Sequence, residues 1–328
     1  MKNELLKKLK IESPIFCGAM YPCSNPELVA AVSEAGGLGV LQPLSLTYVH
    51  GYDFREGIRK IRSLTKKPIA MNALIEQSSK KYLEKMNHWV DIALEEGVKI
   101  FITALGKPDQ IVKKVRAQKG LVLHDVTEKK WAEIAKDCGV DGLICVNNRA
   151  GGHLGSKNIK ELYDELAHLD LPLIAAGGIS TAKDYQEALA IGYAAVQMGT
   201  AFIATHECSA HDDYKVAIIE AQEKDIVATE KISGVPVSVI KTPEVEKLGL
   251  KATGLEKFLL KNSKTKHWLR LFYSLKSLHS FKKSNLKGTR YKNFFQAGKS
   301  VAGVQKIQSV QELMQELTSN GSPFKSED

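Results

Sequence analysis

The chain has 328 residues, of which 44% are hydrophobic and 25% charged, with a formal net charge of +9 at pH 7. That composition is ordinary for a soluble globular protein, and no apolar run approaches the roughly 20 residues of a membrane span. The first ten residues interleave lysines with leucines and lack the apolar core and small-residue cleavage site of a signal peptide, so a cytoplasmic protein is expected.

Pro14-Ile15-Phe16-Cys17-Gly18 reads as a first strand, running out into Ala19 and Met20. Asn25 then caps a helix with Pro26 at its first position, and the helix stops at Gly36-Gly37. Leu38-Gly39-Val40-Leu41 is a second strand, followed by a helix near 54–64. Pro68-Ile69-Ala70-Met71-Asn72-Ala73 is a third, ending on the polar Asn72. A long helix near 79–96 precedes a strand at 98–103; a helix near 108–117 precedes Leu121-Val122-Leu123-His124-Asp125. After a helix near 127–138 comes Gly142-Leu143-Ile144-Cys145-Val146, short, apolar and without alternation, as a buried parallel strand should be. A helix near 157–168, a strand at Pro172-Leu173-Ile174-Ala175-Ala176, a helix capped by Ser180 and a strand at 194–198 complete the series.

Eight strands alternating with helices predict a parallel α/β architecture, and the count of eight favours a closed (β/α)8 TIM barrel over an open sheet. No GxGxxG opens a first strand–helix–strand unit, which argues against a dinucleotide fold. Three consecutive strands end in loops of small residues: Ala150-Gly151-Gly152-His153-Leu154-Gly155, Gly177-Gly178, and Gly199-Thr200. Barrels bind phosphate-bearing ligands at that face, and glycines let backbone approach a ligand closely. His153, set among the glycines, is the expected proton-transfer residue. His124 and Asp125 also end a strand; lining the pocket and hydrogen-bonding a turn both stand for them. The five cysteines are odd in number and show no CxxC or histidine-paired spacing, so reduced packing thiols and no metal site are expected.

Beyond Thr200 the pattern changes. A helix is expected near 210–222, with His211 as a structural residue at its start. From 225 to 295 strand alternation is lost, and amphipathic helices around Phe258-Leu259-Leu260 and Trp268–Tyr273 suggest a helical insertion or lid. Residues 251–299 hold thirteen Lys/Arg and a single acid, Glu256. The expected division is a ligand-binding barrel over 1–224, with 296–328 returning to it, and a basic helical insertion over 225–295.

These pieces together resemble the FMN-dependent nitronate monooxygenases, formerly 2-nitropropane dioxygenases, a family related to the flavin-type enoyl-acyl-carrier-protein reductases and NADH:quinone reductases. The resemblance rests on Pro14-Ile15 with Met20, Ala30 to Gly39, Asn72, Ala150 to Gly155, Ala175 to Ile179, Gln197 to Phe202, Glu207-Cys208 with His211, and Ala297-Gly298. It covers residues 11–222 well and 296–318 weakly. The resemblance implies an FMN phosphate on backbone amides of Gly178, Gly199 and Thr200. It places the flavin ring near Ala19, Met20, Asn72 and Gly151, with Gly152, Gly177, Gln197 and Met198 in the binding segments and His153 as general base. The family often carries Gln or Glu at Val146 and Gly at Asn147; here that polar contact is either lost or moved to Asn147 or Asn148.

The first expectation is oxidation of alkyl nitronates or nitroalkanes with O2. The alternative is an NAD(P)H-dependent enoyl-acyl-carrier-protein reductase or NADH:quinone reductase, its acidic carrier protein steered to the 251–299 segment. A remote third is a non-catalytic basic module; no nucleic-acid motif accompanies the lysines, so a nucleic-acid partner is not expected.

Overall fold

The computed structural model describes residues 2–76, 79–231, 236–250 and 294–319. The apolar runs become β1 (Ile15–Cys17), β2 (Leu38–Leu41), β3 (Ile69–Leu74), β4 (Ile100–Ala104), β5 (Leu121–Val126) and β6 (Gly142–Val146). After a two-residue β7 (Gly152–His153) outside the barrel come β8 (Leu173–Ala176) and β9 (Ala195–Met198). β1 pairs with β9 as well as with β2, so the eight parallel strands close on themselves. This is the expected TIM barrel.

The two-residue period of each strand sorts its side chains. Phe16, Leu38, Val40, Ala70, Ile102, Leu123, Ile144 and Ile174 fill the interior, while Met71, Phe101, Val122 and Cys145 pack outward. The outer layer comprises α2 (Pro26–Glu34), α3 (Phe54–Leu64), α4 (Lys80–Glu95), α5 (Asp109–Ala117), α6 (Lys129–Asp137), α7 (Ile159–Leu166) and α8 (Ala182–Ile191). Their apolar residues recur at helical spacing, as with Phe54, Ile58 and Ile61 of α3. The cap of α8 is Thr181 rather than Ser180, because Asp184 lies three residues on and completes a capping box. An N-terminal α1 (Lys2–Leu9) inserts Leu5, Leu6 and Leu9 into the interior cluster and closes the N-terminal end. The interleaved leucines of that segment are therefore core residues.

The expected helical insertion does not begin as helix. Ile226–Thr229 (β10) and Val237–Ile240 (β11) pair antiparallel, and β11 pairs in turn with β7. Both stretches are rich in β-branched residues, and Ser233-Gly234 and Pro236 punctuate the sequence between them, a hairpin signal that outweighs the loss of the long-range alternation. A short α11 (Pro243–Leu248) follows. The expected helices at 258–260 and 268–273, most of the basic segment, and the tail beyond 319 lie outside the described residues.

The chain then returns to the barrel. Thr205 bridges Gln308, Val239 bridges Gln296, and α12 (Val310–Thr318) packs on α2 and α8. No described helix is long and apolar enough to cross a membrane.

Candidate active site

The C-terminal ends of the strands converge on one mouth. At the end of β1, the Gly18 amide donates to the Met198 carbonyl (2.9 Å) and the Met20 amide to Ser24 Oγ (2.9 Å). The Gln197 side chain lies across Gly18, whose Cβ, were there one, would stand 2.9 Å from Gln197 Cγ. Met20 Sδ would lie 3.2 Å from a Cβ on Gly199. Ala19 packs against the interior cluster, and Asn72, on the same face of β3 as Ala70, is buried. Ala19, Met20, Asn72, Gln197 and Gly199 thus share the mouth. Met198 does not: its side chain packs in the outer core.

The loop after β6 folds over the glycine turn after β8. Asn147 is buried, donating from Nδ2 to the Gly177 carbonyl (2.9 Å) and accepting at Oδ1 from the Arg149 amide (2.8 Å). Its polar atoms therefore serve the loop itself. Gly177 and Gly178 have φ of +113° and +79°. Their space is taken by this loop, since a Cβ would meet Asn147 Oδ1 at 2.5 Å on Gly177 and Arg149 Nε at 2.6 Å on Gly178. Both glycines are required by the backbone before any ligand is considered. Gly151 abuts Gly298, whose amide donates to Thr200 Oγ1 (3.0 Å). The loop 147–151, the turn 177–178, the segment 199–200 that opens α9 (Thr200–Ile203), and Gly298 therefore form one contiguous backbone surface. No described residue accepts from the amides of Gly178, Gly199 or Thr200.

His153 is held by β7, which pairs Gly152 with Ser238 and His153 with Val237. The imidazole keeps open surface yet is surrounded by protein, and its loss of hydration lowers its pKa below the ordinary 6.5. Glu76, on the segment leaving β3, acts in the opposite sense. At neutral pH the ring is uncharged and can accept a proton.

His124 and Asp125 part company. His124 turns outward, its Nδ1 2.8 Å from Thr103 Oγ1, and burial pushes its pKa down to about 4. Asp125 turns inward, and its Oδ1 is buried with no hydrogen-bond partner. Of the cysteines, Cys17 and Cys145 are buried with thiols pushed up by desolvation, which suits packing and not nucleophilic attack. His211 Nδ1 accepts from the Asp213 amide (3.2 Å) and caps α10 (Asp212–Glu220), a structural role. No group of described residues could hold a metal ion.

One charged cluster at the rim had no sequence signal. Arg149 donates to both carboxylate oxygens of Glu223 (2.8 and 2.9 Å), and Lys299 stands 3.4 Å from the same group. The partners are 74 residues apart in the chain, so only the fold brings them together. Hydrogen bonding and charge from Arg149, with a smaller contribution from Lys299, hold the Glu223 carboxyl below its usual range. A depressed carboxyl contributes stability above its unfolded pKa and loses it as pH falls through the folded value. Glu223 is 42% exposed, so Glu223→Gln should cost under about 1 kcal/mol at pH 7. That difference should shrink as pH falls towards the depressed folded value; denaturant melts at pH 7 and pH 3.5 check it.

Comparison with known proteins gives a family model, nitronate monooxygenase, that matches residues 2–320. One relative is the (3aS,4S,5R,7aS)-5-hydroxy-7a-methyl-1-oxo-octahydro-1H-indene-4-carboxyl-CoA dehydrogenase of Rhodococcus jostii, 28% identical over 76% of this chain and 68% of its own. A probable nitronate monooxygenase of Staphylococcus saprophyticus is 27% identical over 73% of this chain and 79% of its own. Among solved structures, FabK from Thermotoga maritima superposes with a TM-score of 0.80 at 26% identity, covering 96% of this chain and 94% of that one.

Proposed function

The chain belongs to the nitronate monooxygenase family, and from that premise we propose an FMN-dependent oxidoreductase that oxidises alkyl nitronates or nitroalkanes with O2. The observation that carries the reading is His153, fixed by β7 in the glycine-rich loop that follows β6 and packs on Gly298.

The residues present fit a flavin. Gln197 Oε1 and Asp125 Oδ1 are buried acceptors without partners on the barrel's inner face, where a heteroatom-rich ring would meet them. The amides of Gly178, Gly199 and Thr200 would hold the phosphate, for which open N–H groups are the natural ligand. Ala19, Met20, Asn72 and Gly151 would support the ring, with Gly152, Gly177, Gln197 and Met198 in the same segments. FMN, when bound, supplies the electron transfer between substrate and oxygen. The protein's own step is proton removal: His153 takes the proton α to the nitro group, or hydrogen-bonds the nitro oxygen of a substrate already ionised.

A second reading is reduction of an enoyl thioester, or of a quinone, by NADH or NADPH. The relative named as an indene-4-carboxyl-CoA dehydrogenase supports thioester chemistry, and the basic run 251–299 would steer an acidic carrier protein. Anaerobic mixing of the purified protein with an alkyl nitronate, NADH and NADPH, each separately, should bleach the flavin absorbance with the nitronate alone. Rapid bleaching by a nicotinamide, with none by nitronate, would make the reductase the better reading.

A further inference from the structure

Asp125 ends the inner face of β5. Leu121 and Leu123 pack with the barrel interior, while Val122 and Val126 pack outward, so the two-residue period turns the Asp125 side chain inward at the C-terminal end. Ile144 of β6 lies opposite it in register, and the interior face it joins carries Ile102 from β4, Val146 from β6, and Ile174 and Ala176 from β8, with Asn72 on β3 and Gln197 on β9. The titratable groups on the adjoining elements are His124, turned outward to Thr103, Cys145 on the outer face of β6, and, in the segments that follow β6 and β3, His153 and Glu76. None of them accounts for the state of Asp125. Burial alone pushes its pKa up to about 7, leaving much of it protonated at neutral pH.

A buried polar atom without a partner costs about 1–3 kcal/mol, and two such acceptors face this mouth, Asp125 Oδ1 and Gln197 Oε1. A neutral carboxyl carries a side-chain O–H donor, which a carboxylate does not. The carbonyl oxygens of an isoalloxazine, its strongest hydrogen-bond acceptors, lie at its pyrimidine end.

We propose that Asp125 is a cofactor contact: its neutral carboxyl donates a hydrogen bond to the pyrimidine end of the flavin ring, and loss of that proton weakens the contact. The inference rests on the flavin reading given above.

The test is a pH titration of bound-flavin visible absorbance in the intact holoprotein, wild type beside Asp125→Asn and Asp125→Leu. In wild type the spectrum should change through a one-proton step at or above pH 7. The amide of Asp125→Asn still donates but does not titrate, so that variant should keep its flavin and show no step between pH 6 and 9. Asp125→Leu should hold flavin about tenfold more weakly while unfolding no more easily than wild type, since an orphaned acceptor has been removed. A step that survives in Asp125→Asn, or undiminished flavin retention in Asp125→Leu, overturns the inference. Flavin-loaded wild type with no step overturns it alone; wild type that binds no flavin overturns the functional reading with it.

Discussion

Replacing His153 with alanine should lower kcat/KM for a neutral nitroalkane by about 10²- to 10⁴-fold, the usual contribution of a positioned general base. The same protein given the pre-ionised nitronate should lose about tenfold or less, because the proton has already gone. The pH dependence follows from the environment of the ring. Desolvation lowers the His153 pKa below 6.5 and only the unprotonated ring is a base, so activity on the nitroalkane should rise through that depressed pKa and be flat from pH 7 to 8. The nitronate should show no such rise. Since the side chain keeps open surface and its backbone is fixed by the pairing with Val237, the truncation should leave stability within about 0.5 kcal/mol. Steady-state rates with both substrate forms across pH 5.5 to 8.5 decide the matter. Equal losses on the two forms would remove His153 from proton transfer and leave it a binding residue.

The barrel was legible because each strand is a short apolar run fenced by Gly or Pro, and each helix carries its own start and stop. Pro26 at the start of α2 and Gly97 after α4 are local signals needing no knowledge of the fold, whereas the Asn25 side chain, expected to cap α2, makes no cap bond and accepts from the Ser209 amide instead. What escaped depends on partners distant in sequence. β7 is only Gly152 and His153, and it exists because Val237 and Ser238 lie beside it. Arg149 and Glu223 look like ordinary surface charges until the loop after β6 and the segment after α10 meet. The inward turn of Asp125 was implicit in strand parity, since Leu123 and Asp125 share a face; its protonation state was not, because that depends on apolar side chains from neighbouring strands. The glycines were read as a ligand cradle, yet Gly177 and Gly178 also answer to a loop that crosses them. Presence of glycine alone does not separate those two demands.

Their separation is itself measurable. Gly177→Ala and Gly51→Ala both place a Cβ on a residue with positive φ, +113° and +75° respectively. At Gly51 the new atom meets nothing within 4 Å, so its cost is backbone strain, about 1–2 kcal/mol. At Gly177 the new atom would stand 2.6 Å from the Ala150 amide nitrogen and 2.8 Å from its Cα. Those are backbone atoms that cannot rotate away, so the 147–151 loop must lift and the Asn147 bond to the Gly177 carbonyl must stretch or break. Overpacking of this kind adds about 1–3 kcal/mol, giving a total of about 2–5 kcal/mol for Gly177→Ala. The displaced loop carries Gly151 and leads into His153, so flavin retention and nitronate turnover should fall together in that variant, whereas Gly51→Ala keeps both. Denaturant unfolding of the two proteins, with flavin content measured on the same samples, distinguishes the demands. Equal stability losses would mean that the loop yields at no cost and that the glycine is held by its conformation alone. A stable Gly177→Ala protein that nonetheless loses flavin would make the ligand, rather than the loop, the reason for the residue.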